Sequence, residues 1–440
     1  MSFTTGAKSK KIIDELKKYV VFEPYTFALD LAQCKGMNLK TVDGDILIDW
    51  TGFYASRLIG MNHPKLMETE YLRRLSVVAN NKIANPDFPT PECLEYYRLI
   101  YSLAPECMRN PNLEVYAVNS GAEAVENMMK YMISLHQEAM IKKGKIPNAR
   151  RFVYFDQAFH GRTVFALNVT QLSNNPNLTK GFHGFAPGNI QIPFPAINTD
   201  ASKAENDAIT KRALDRLEDI LSSYADEIAG IVVEPIQGAG GHRMAQKEFF
   251  QGVSKLAHRF GVNFGFDEVQ TSGGQTGKIF AVDLFDLPHA PVAVAVAKKF
   301  GNGVVFMHHT MEDRGVLDST WGGSLVDMVR FVQEWQVVVN EELIQKVPLK
   351  ASHLVDGLKR LQQKHRGLIS NIRGMGLYQG FSLDDAATRD KVVELALHQE
   401  NLLLLEAGVD SIRFRPNLHV TIEDIDIMIE KLDRVLLQVS

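Results

Sequence analysis

The chain has 440 residues, 45% of them hydrophobic and 23% charged, with a formal net charge of −4 at pH 7. A chain of this length is too long for one simple hydrophobic core, so two or three lobes are expected. The small net charge gives no general reason to expect a nucleic acid or an anionic membrane as partner. No stretch has the length of a membrane span and no N-terminal signal segment is recognisable, which predicts a cytoplasmic protein.

The first predicted element is a β-hairpin over residues 40–49, with Asp43 and Gly44 at its turn. Beyond it, short apolar runs alternate with helical patterns, as in a largely parallel sheet covered by helices on both faces. The predicted strands are mostly apolar throughout: Glu114–Val118, Arg151–Phe155, Gly230–Glu234, Val262–Asp267 and Val292–Ala297. The helices predicted between them include Ala122–Gln137 and Lys247–Phe260.

The segment NSGAEAVE, residues 119–126, follows the first of these strands and opens the first of these helices. Ser120 suits the helix cap, Gly121 lets backbone approach an anion, and the free amides of the first turn point outward. This pattern suits a phosphate group, and the alternative is a plain helix cap.

Two later segments also follow apolar runs. In AFHGR, residues 158–162, Phe159 or His160 can offer a face to a planar ring, and Arg162 suits bidentate capture of a carboxylate. In VEPIQGAGG, residues 233–241, Glu234 and Gln237 stand at the carboxyl end of a strand, where open α/β sheets place ligands. The alternatives are core aromatic packing, a surface arginine and a solvated turn glutamate.

The segments GFDEVQT and AKK together predict a site for the aldehyde cofactor pyridoxal 5′-phosphate. Asp267 can keep the pyridine nitrogen protonated, Val269 can press on the ring face, and Gln270 can donate to the phenolic oxygen. Lys298 emerges from a buried strand, so its pKa is expected to be lowered and its amine to form a Schiff base, while Lys299 is expected to be the solvated neighbour. The alternatives are a helix start after a strand and a surface lysine pair.

Long amphipathic helices are predicted over Leu325–Glu342 and Leu349–Lys364, with Pro348 at the start of the second. Both ends of the chain, residues 1–60 and 325–440, are predicted to form a small domain beside a large domain at 61–324. Near the C-terminus, Arg413 and Arg415 lie two apart in an extended segment, so a carboxylate can meet either or both. The alternative is two solvated charges. The histidines show no metal-ligand spacing, and no catalytic metal is predicted.

These motifs and their order resemble the class III, ω-amino-group aminotransferases of pyridoxal-phosphate fold type I, the aspartate aminotransferase-like fold, from about Asp30 to Val420. Within that class the chain is most similar to the L-lysine 6-aminotransferases and next to the 4-aminobutyrate transaminases. The resemblance implies an α/β fold, with a mainly parallel sheet in the large domain and a small α+β domain from both termini. It also covers Ser319–Gly323, which implies a homodimer in which Thr320 completes the phosphate site of the other subunit.

The resemblance further implies a role for each motif. Lys298 and Asp267 are the implied catalytic residues, with Lys298 forming the Schiff base and moving the proton. The implied cofactor-binding residues are Ser120, Gly121, Ala122, Phe159, His160, Glu234, Asp267, Val269, Gln270, Lys298, Ser319 and Thr320. The implied substrate-binding residues are Arg162, Gln270, Arg413 and Arg415.

The implied reaction moves the terminal amino group of L-lysine, or of a similar ω-amino acid, to 2-oxoglutarate by a ping-pong mechanism. Alternatives are a 4-aminobutyrate or other amine aminotransferase, with pyruvate as a possible acceptor, or a racemase or aminomutase. One departure bears on the donor, because both similar families have a glutamate at the position of Ala239. That glutamate masks the arginine matching Arg413 while an ω-amine is bound, so we expect Arg413 here to be uncompensated and to attract a carboxylate in both half-reactions.

Overall fold

The computed structural model describes residues 3–21, 23–182, 188–312 and 314–439. Its strands are, in chain order, β1 (Asn38–Lys40), β2 (Ile46–Asp49), β3 (Glu114–Val118), β4 (Arg151–Phe155), β5 (Ile190–Ile192), β6 (Ile228–Val233), β7 (Ile236–Gln237), β8 (Arg243–Met244), β9 (Phe264–Asp267), β10 (Ala293–Val296), β11 (Gly303–Met307), β12 (Ser370–Met375), β13 (Tyr378–Ser382), β14 (Leu402–Leu403), β15 (Leu405–Ala407) and β16 (Ser411–Phe414).

The α-helices are α1 (Ala7–Leu16), α2 (Gly52–Ala55), α3 (Thr69–Asn80), α4 (Pro91–Ser102), α5 (Gly121–Lys142), α6 (Val164–Leu167), α7 (Lys203–Tyr224), α8 (Lys247–Phe260), α9 (Leu325–Asn340), α10 (Val347–Lys364), α11 (Ala386–Glu400) and α12 (Ile422–Leu436). Within the described ranges, no helix combines the length and the apolar character that crossing a membrane requires.

A seven-stranded sheet forms the centre of the fold, in the order β3-β11-β10-β9-β6-β4-β5. All neighbouring pairs are parallel except those of β11, which runs antiparallel to β10 and β3. The predicted mainly parallel sheet is therefore confirmed. Strands β3, β4, β6, β9 and β10 point the same way, so their carboxyl ends lie along one edge.

Both faces of this sheet are covered, which explains why its strands are apolar in runs rather than alternately. In β10, Ala293 and Ala295 face the methionine-rich helix α5, whereas Val294 and Val296 belong to the opposite core with Phe249 and Phe250 of α8. The small alanines leave room for the long side chains of α5, such as Met128 and Met132.

The predicted boundaries agree with the structure to within a few residues. Two strands, Glu114–Val118 and Arg151–Phe155, and the helix Lys247–Phe260 have the predicted bounds. Helix α5 continues to Lys142, beyond the predicted end at Gln137, because its apolar stripe continues through Met140. Helix α10 begins at Val347 and holds Pro348 in its first turn, where no amide donor is needed.

The two ends of the chain meet in smaller sheets. The predicted hairpin is present as β1 and β2, and β14 from the C-terminal region adds to it in the order β1-β2-β14. A second sheet has the order β12-β13-β16-β15. Helices α10 and α11 both pack on α12, whereas α9 packs on α3 and α4. The domain boundaries given from sequence stay a prediction.

Candidate active site

A cavity of about 490 Å³ lies at the carboxyl edge of the seven-stranded sheet. Open α/β sheets bind ligands at this edge because loops from several strands converge there. Most of the residues singled out from the sequence line this cavity: Ser120, Gly121, Ala122, Phe159, His160, Arg162, Glu234, Asp267, Val269, Gln270 and Lys298. Ala239 lines it as well. Five separate sequence motifs therefore meet in one place.

Lys298 directly follows β10 and Ala297, and its backbone adopts a left-handed conformation with φ of +54°. Such a conformation is unfavourable for a residue with a side chain and is found most often at functional sites. Its Nζ donates a hydrogen bond to the carbonyl oxygen of Tyr54 at 2.7 Å. Burial, and after it the positive charges of Arg413 and Arg415, lower the pKa of Lys298 to about 7. The amine is thus available as a nucleophile near neutral pH.

The lowered pKa of Lys298 leads to a first prediction about the cofactor-free protein. A lysine reacts with an aldehyde through its neutral amine, and the neutral fraction rises with pH up to the pKa. The rate of pyridoxal phosphate uptake is expected to rise about tenfold per pH unit below about pH 7 and to level off above about pH 8. Stopped-flow absorbance at several pH values measures it. A rate that keeps rising to about pH 10, where an ordinary lysine titrates, would contradict the lowered pKa of Lys298.

Asp267, at the end of β9, is held from two sides. One carboxylate oxygen accepts the amide of Val269 at 3.0 Å, and the other lies 2.8 Å from Nδ1 of His160. Burial opposes a charge on His160, but the hydrogen bond and the charge of Asp267 outweigh it, so the pKa of His160 is raised. His160 therefore hydrogen-bonds the Asp267 carboxylate and does not merely offer a ring face.

The start of α5 has the capped first turn that its sequence predicts. The Ser120 hydroxyl caps the helix by accepting the amide of Glu123 at 3.2 Å, and the Glu123 carboxylate accepts the amide of Asn119 at 3.1 Å. The amides of Gly121 and Ala122 have no acceptor among the described residues. A Cβ on Gly121 would lie 2.8 Å from a methyl group of Val269, so only glycine lets the helix start this close to β9.

The polar side chains at the cavity have different hydrogen-bond partners. Glu234 accepts the amide of Phe159 at 2.9 Å, and burial raises the pKa of Glu234 to about 8. The side-chain oxygen of Gln270 accepts Nε of Arg415 at 3.3 Å. Gln237 lies outside the cavity lining, because its side chain bonds Asp156 and Arg243. These residues fit a planar ring that carries a hydroxyl group, a ring nitrogen and a phosphate.

The three arginines have unequal surroundings. Arg162 is exposed at the cavity and can reach a ligand. Arg413 is 7% exposed, its Nε donates to the carbonyl oxygen of Glu406 at 3.2 Å, and its Nη1 is buried with no partner among the described residues. Arg415 is 1% exposed and is bonded to His242, Gln270 and the carbonyl oxygen of Phe414. Arg413 therefore keeps a hydrogen-bond donor without a partner among the described residues, whereas the guanidinium group of Arg415 is already bonded to other groups of the protein.

Ser319 and Thr320 lie outside this cavity. Thr320 is exposed, and the amide of Ser319 donates to the side chain of Asp318 at 2.8 Å. The loop is fixed nearby, because Asn85 donates to the carbonyl oxygens of Trp321 and Gly323. A single chain therefore does not bring these two residues to its own cofactor cavity.

The expectation that Lys299 is solvated is wrong. Lys299 is 1% exposed, and its Nζ donates to the carbonyl oxygens of Ala55 and Gln270 and to the hydroxyl of Tyr378. Burial, together with the nearby Lys298, lowers its pKa well below that of an ordinary lysine. The sequence around Lys298 and Lys299 does not indicate which lysine is buried, because the groups that accept hydrogen bonds from Lys299 come from distant parts of the chain.

The sequence also gave no sign of the unusual turn at α2. Phe53, Tyr54 and Ala55 all have φ between 51° and 67°, so this single turn is left-handed. Consecutive left-handed residues other than glycine are strained, at a cost of roughly 1–2 kcal/mol each. The turn directs the carbonyl oxygens of Tyr54 and Ala55 at the amines of Lys298 and Lys299.

One histidine cluster forms although histidine spacing in the sequence gave no indication of it. Nε2 of His63 and Nε2 of His419 lie 2.9 Å and 3.0 Å from the two carboxylate oxygens of Glu341. Their Nδ1 atoms accept the amides of Lys65 and Gly60. A metal-binding histidine usually donates through its second nitrogen, so these rings are arranged to hydrogen-bond Glu341 rather than to ligate an ion.

A sequence model of the class-III aminotransferases matches residues 22–436. The chain is 30% identical to an L-lysine-epsilon aminotransferase of Amycolatopsis lactamdurans, over 97% of this chain and 96% of that protein. It is 26% identical to a 4-aminobutyrate aminotransferase of Schizosaccharomyces pombe, over 98% and 94% of the two chains. A solved lysine aminotransferase from Mycobacterium tuberculosis matches with a TM-score of 0.91 at 29% identity, over 98% of this chain and 100% of that one.

Proposed function

The chain belongs to the class-III aminotransferases, which use pyridoxal 5′-phosphate, and we propose that it moves the terminal amino group of L-lysine, or of a similar ω-amino acid, to 2-oxoglutarate. The products are then a semialdehyde and L-glutamate, formed in two successive half-reactions. The observation that carries the amino transfer is the meeting of Lys298, with its lowered pKa, and the Asp267–His160 pair in one cavity. The choice of donor rests on the similarity to lysine aminotransferases.

The surroundings of the cavity residues support a role for each of them in this reaction. When bound, the cofactor supplies an aldehyde that accepts the amine and a protonated ring that withdraws electrons. The amides of Gly121 and Ala122 would hold the phosphate, and Asp267, which His160 hydrogen-bonds, would pair with the protonated ring nitrogen. Lys298 holds or moves a proton at Nζ between the reacting carbons.

Two arginines are proposed to bind the carboxylates of the acceptor. Arg162 is exposed at the cavity, and Arg413 keeps an unpartnered Nη1 among the described residues. A guanidinium group offers two parallel N–H donors to a carboxylate, which suits the two ends of a dicarboxylate such as 2-oxoglutarate. Gln270 accepts a hydrogen bond from Arg415 and is proposed to meet the ring hydroxyl.

We also propose that two copies of the chain form a dimer with shared active sites. Thr320 of one copy is then available to complete the phosphate site of the other. Exposed apolar side chains on the two contacting segments support this, since Phe88 is 65% exposed and Trp321 is 44% exposed. Sedimentation at the 49.3 kDa mass of a single chain would contradict the dimer.

The donor is tested by incubating the cofactor-loaded enzyme with L-lysine and 2-oxoglutarate. Glutamate is expected to form in equal amount to a semialdehyde that cyclises, and L-norleucine, which lacks only the terminal amine, is expected to give no product. Chromatography of both products measures the reaction. Equal turnover of norleucine would exclude ω-amine transfer. Turnover of 4-aminobutyrate but not of lysine would change the proposed donor. Turnover with pyruvate but not with 2-oxoglutarate would change the proposed acceptor.

A further inference from the structure

The side-chain amide of Gln270 is bonded at one end and open at the other. Its Oε1 accepts Nε of Arg415 at 3.3 Å, whereas its Nε2 has no hydrogen-bond partner among the described residues. Gln270 lines the main cavity, and Arg415 lies behind it, outside the lining. The backbone of Gln270 is held separately, because its carbonyl oxygen accepts Nζ of Lys299 at 2.5 Å. What remains to be fixed at this residue is the direction of its side-chain amide.

Arg415 decides which end of that amide is free. A guanidinium group has five N–H donors and no acceptor, so the atom of Gln270 that faces Arg415 must be the oxygen. If the amide were turned over, its nitrogen would place N–H donors against N–H donors. Gly238 approaches the same oxygen closely, since a Cβ at position 238 would lie 2.0 Å from Oε1. The amide nitrogen is thereby left to donate to a ligand in the cavity.

Arg415 is itself held by three further contacts. Its Nη2 lies 2.8 Å from Nδ1 of His242, and its Nη1 donates to the carbonyl oxygen of Phe414 at 2.9 Å. The guanidinium group also lies over the ring of Tyr378, 4.6 Å from the ring centroid. Arg415 is 1% exposed, so little water competes for its donors. The guanidinium group is therefore a fixed reference for the Gln270 amide.

His242 is arranged to accept from Arg415. Because the guanidinium group can only donate, Nδ1 of His242 must be the acceptor, which leaves the proton of the neutral ring on Nε2. Burial, and after it the charges of Arg415, Arg373 and Arg413, lower the pKa of His242 well below its usual value. The ring thus stays neutral and keeps the lone pair that Arg415 needs.

We propose that Arg415 is a positioning residue: anchored by His242, it holds the Gln270 amide so that Nε2 donates to the ring hydroxyl oxygen of pyridoxal 5′-phosphate. The inference rests on the proposed function, because that function assigns Gln270 to the ring hydroxyl. It separates the two neighbouring arginines, since Arg413 is assigned to a substrate carboxylate and Arg415 acts only through Gln270. A fixed donor at the ring oxygen stabilises the deprotonated form of that oxygen.

The test is a double-mutant cycle on Arg415 and Gln270, measured from the absorbance of the cofactor-loaded protein without substrate. Arg415→Met is expected to raise the pH midpoint of the absorbance change by about one unit, because the deprotonated ring oxygen loses its fixed donor. In the Gln270→Ala background, Arg415→Met is expected to shift the midpoint by less than about 0.3 units. An equal shift in both backgrounds would overturn the inference, because Arg415 would then act without Gln270.

Uptake of pyridoxal phosphate by the cofactor-free protein tests the anchor at His242. His242→Ala is expected to weaken cofactor binding about three- to tenfold. His242→Asn is expected to match the wild type, because asparagine places an oxygen near the position of Nδ1 and tolerates the φ of +52° at this position. Thermal denaturation checks the fold of every variant, and this pair decides the case if Arg415→Met does not fold. Equal binding by His242→Ala and His242→Asn would overturn the anchoring.

Steady-state kinetics separate positioning from direct substrate binding. Arg415→Met is expected to lower kcat about three- to tenfold and to leave KM for 2-oxoglutarate within about twofold of the wild type. A KM raised about tenfold or more with kcat unchanged would make Arg415 a substrate ligand and overturn the inference. Failure of the proposed function is distinguishable, because absence of lysine turnover would change only the donor. The absorbance and cofactor-binding measurements need no substrate and still decide the role of Arg415.

Discussion

Replacing Lys298 by alanine is expected to lower kcat for amino transfer by about 10⁴-fold or more, because both the nucleophilic amine and the proton carrier are lost. The neighbouring Lys299 does not replace it, since its buried amine already donates to three acceptors. Steady-state kinetics with saturating donor and acceptor measure the loss.

Two controls make the Lys298 result specific. Lys278→Ala removes an exposed lysine that pairs with Glu106, and this variant is expected to keep wild-type kinetics. Adding a small primary amine to Lys298→Ala is expected to restore part of the rate, because free amine can then carry the proton. Retention of more than about one hundredth of the wild-type kcat by Lys298→Ala would contradict its assigned role.

Asp267→Asn is expected to lower kcat by roughly 10²- to 10⁴-fold, because a neutral amide does not stabilise a proton on the ring nitrogen. The fold is expected to survive, since asparagine retains an oxygen that can accept the Val269 amide. The pKa of His160 is expected to fall, because its raised value depends on Asp267. Kinetics and NMR titration of the histidine measure the two effects.

The adjacent Glu268 provides the matched control. It is fully buried, but its carboxylate accepts the amides of Ala281 and Val282 and the hydroxyl of Thr271, away from the cavity. Glu268→Gln is therefore expected to change thermal stability while keeping kcat within about tenfold of the wild type. A larger loss of kcat in Glu268→Gln than in Asp267→Asn would assign the catalytic role to Glu268 instead of Asp267.

Much of the cofactor site follows from local patterns. A serine and a glycine between an apolar strand and an amphipathic helix predict a capped helix with free amides, and Ser120 and Gly121 have those positions. An acid that ends one apolar run and a lysine that ends another together predict a cofactor site. Asp267 and Lys298 both line the cavity. Such signals are readable because each depends on only a few neighbouring residues.

Other features depend on contacts across the whole chain. The carbonyl of Tyr54 reaches Lys298 across 244 residues, and the same separation joins Ala55 to Lys299. Arg413 and Arg415 share a strand pattern, yet one has an unpartnered nitrogen and the other is bonded to His242 and Gln270. Period two predicts only that they lie on one face.

The sequence by itself determined the cofactor chemistry, the mainly parallel sheet and the residues at its edge, because strand ends, helix caps and apolar periodicity are local properties of the chain. Only the tertiary structure decided which charges are available for substrate. Burial lowers the pKa of Lys299, and distant segments supply hydrogen-bond partners for Arg415 but none for Nη1 of Arg413 among the described residues. The charge state of a buried group depends on solvent access and on its neighbours in space, and neither can be read from the order of the residues.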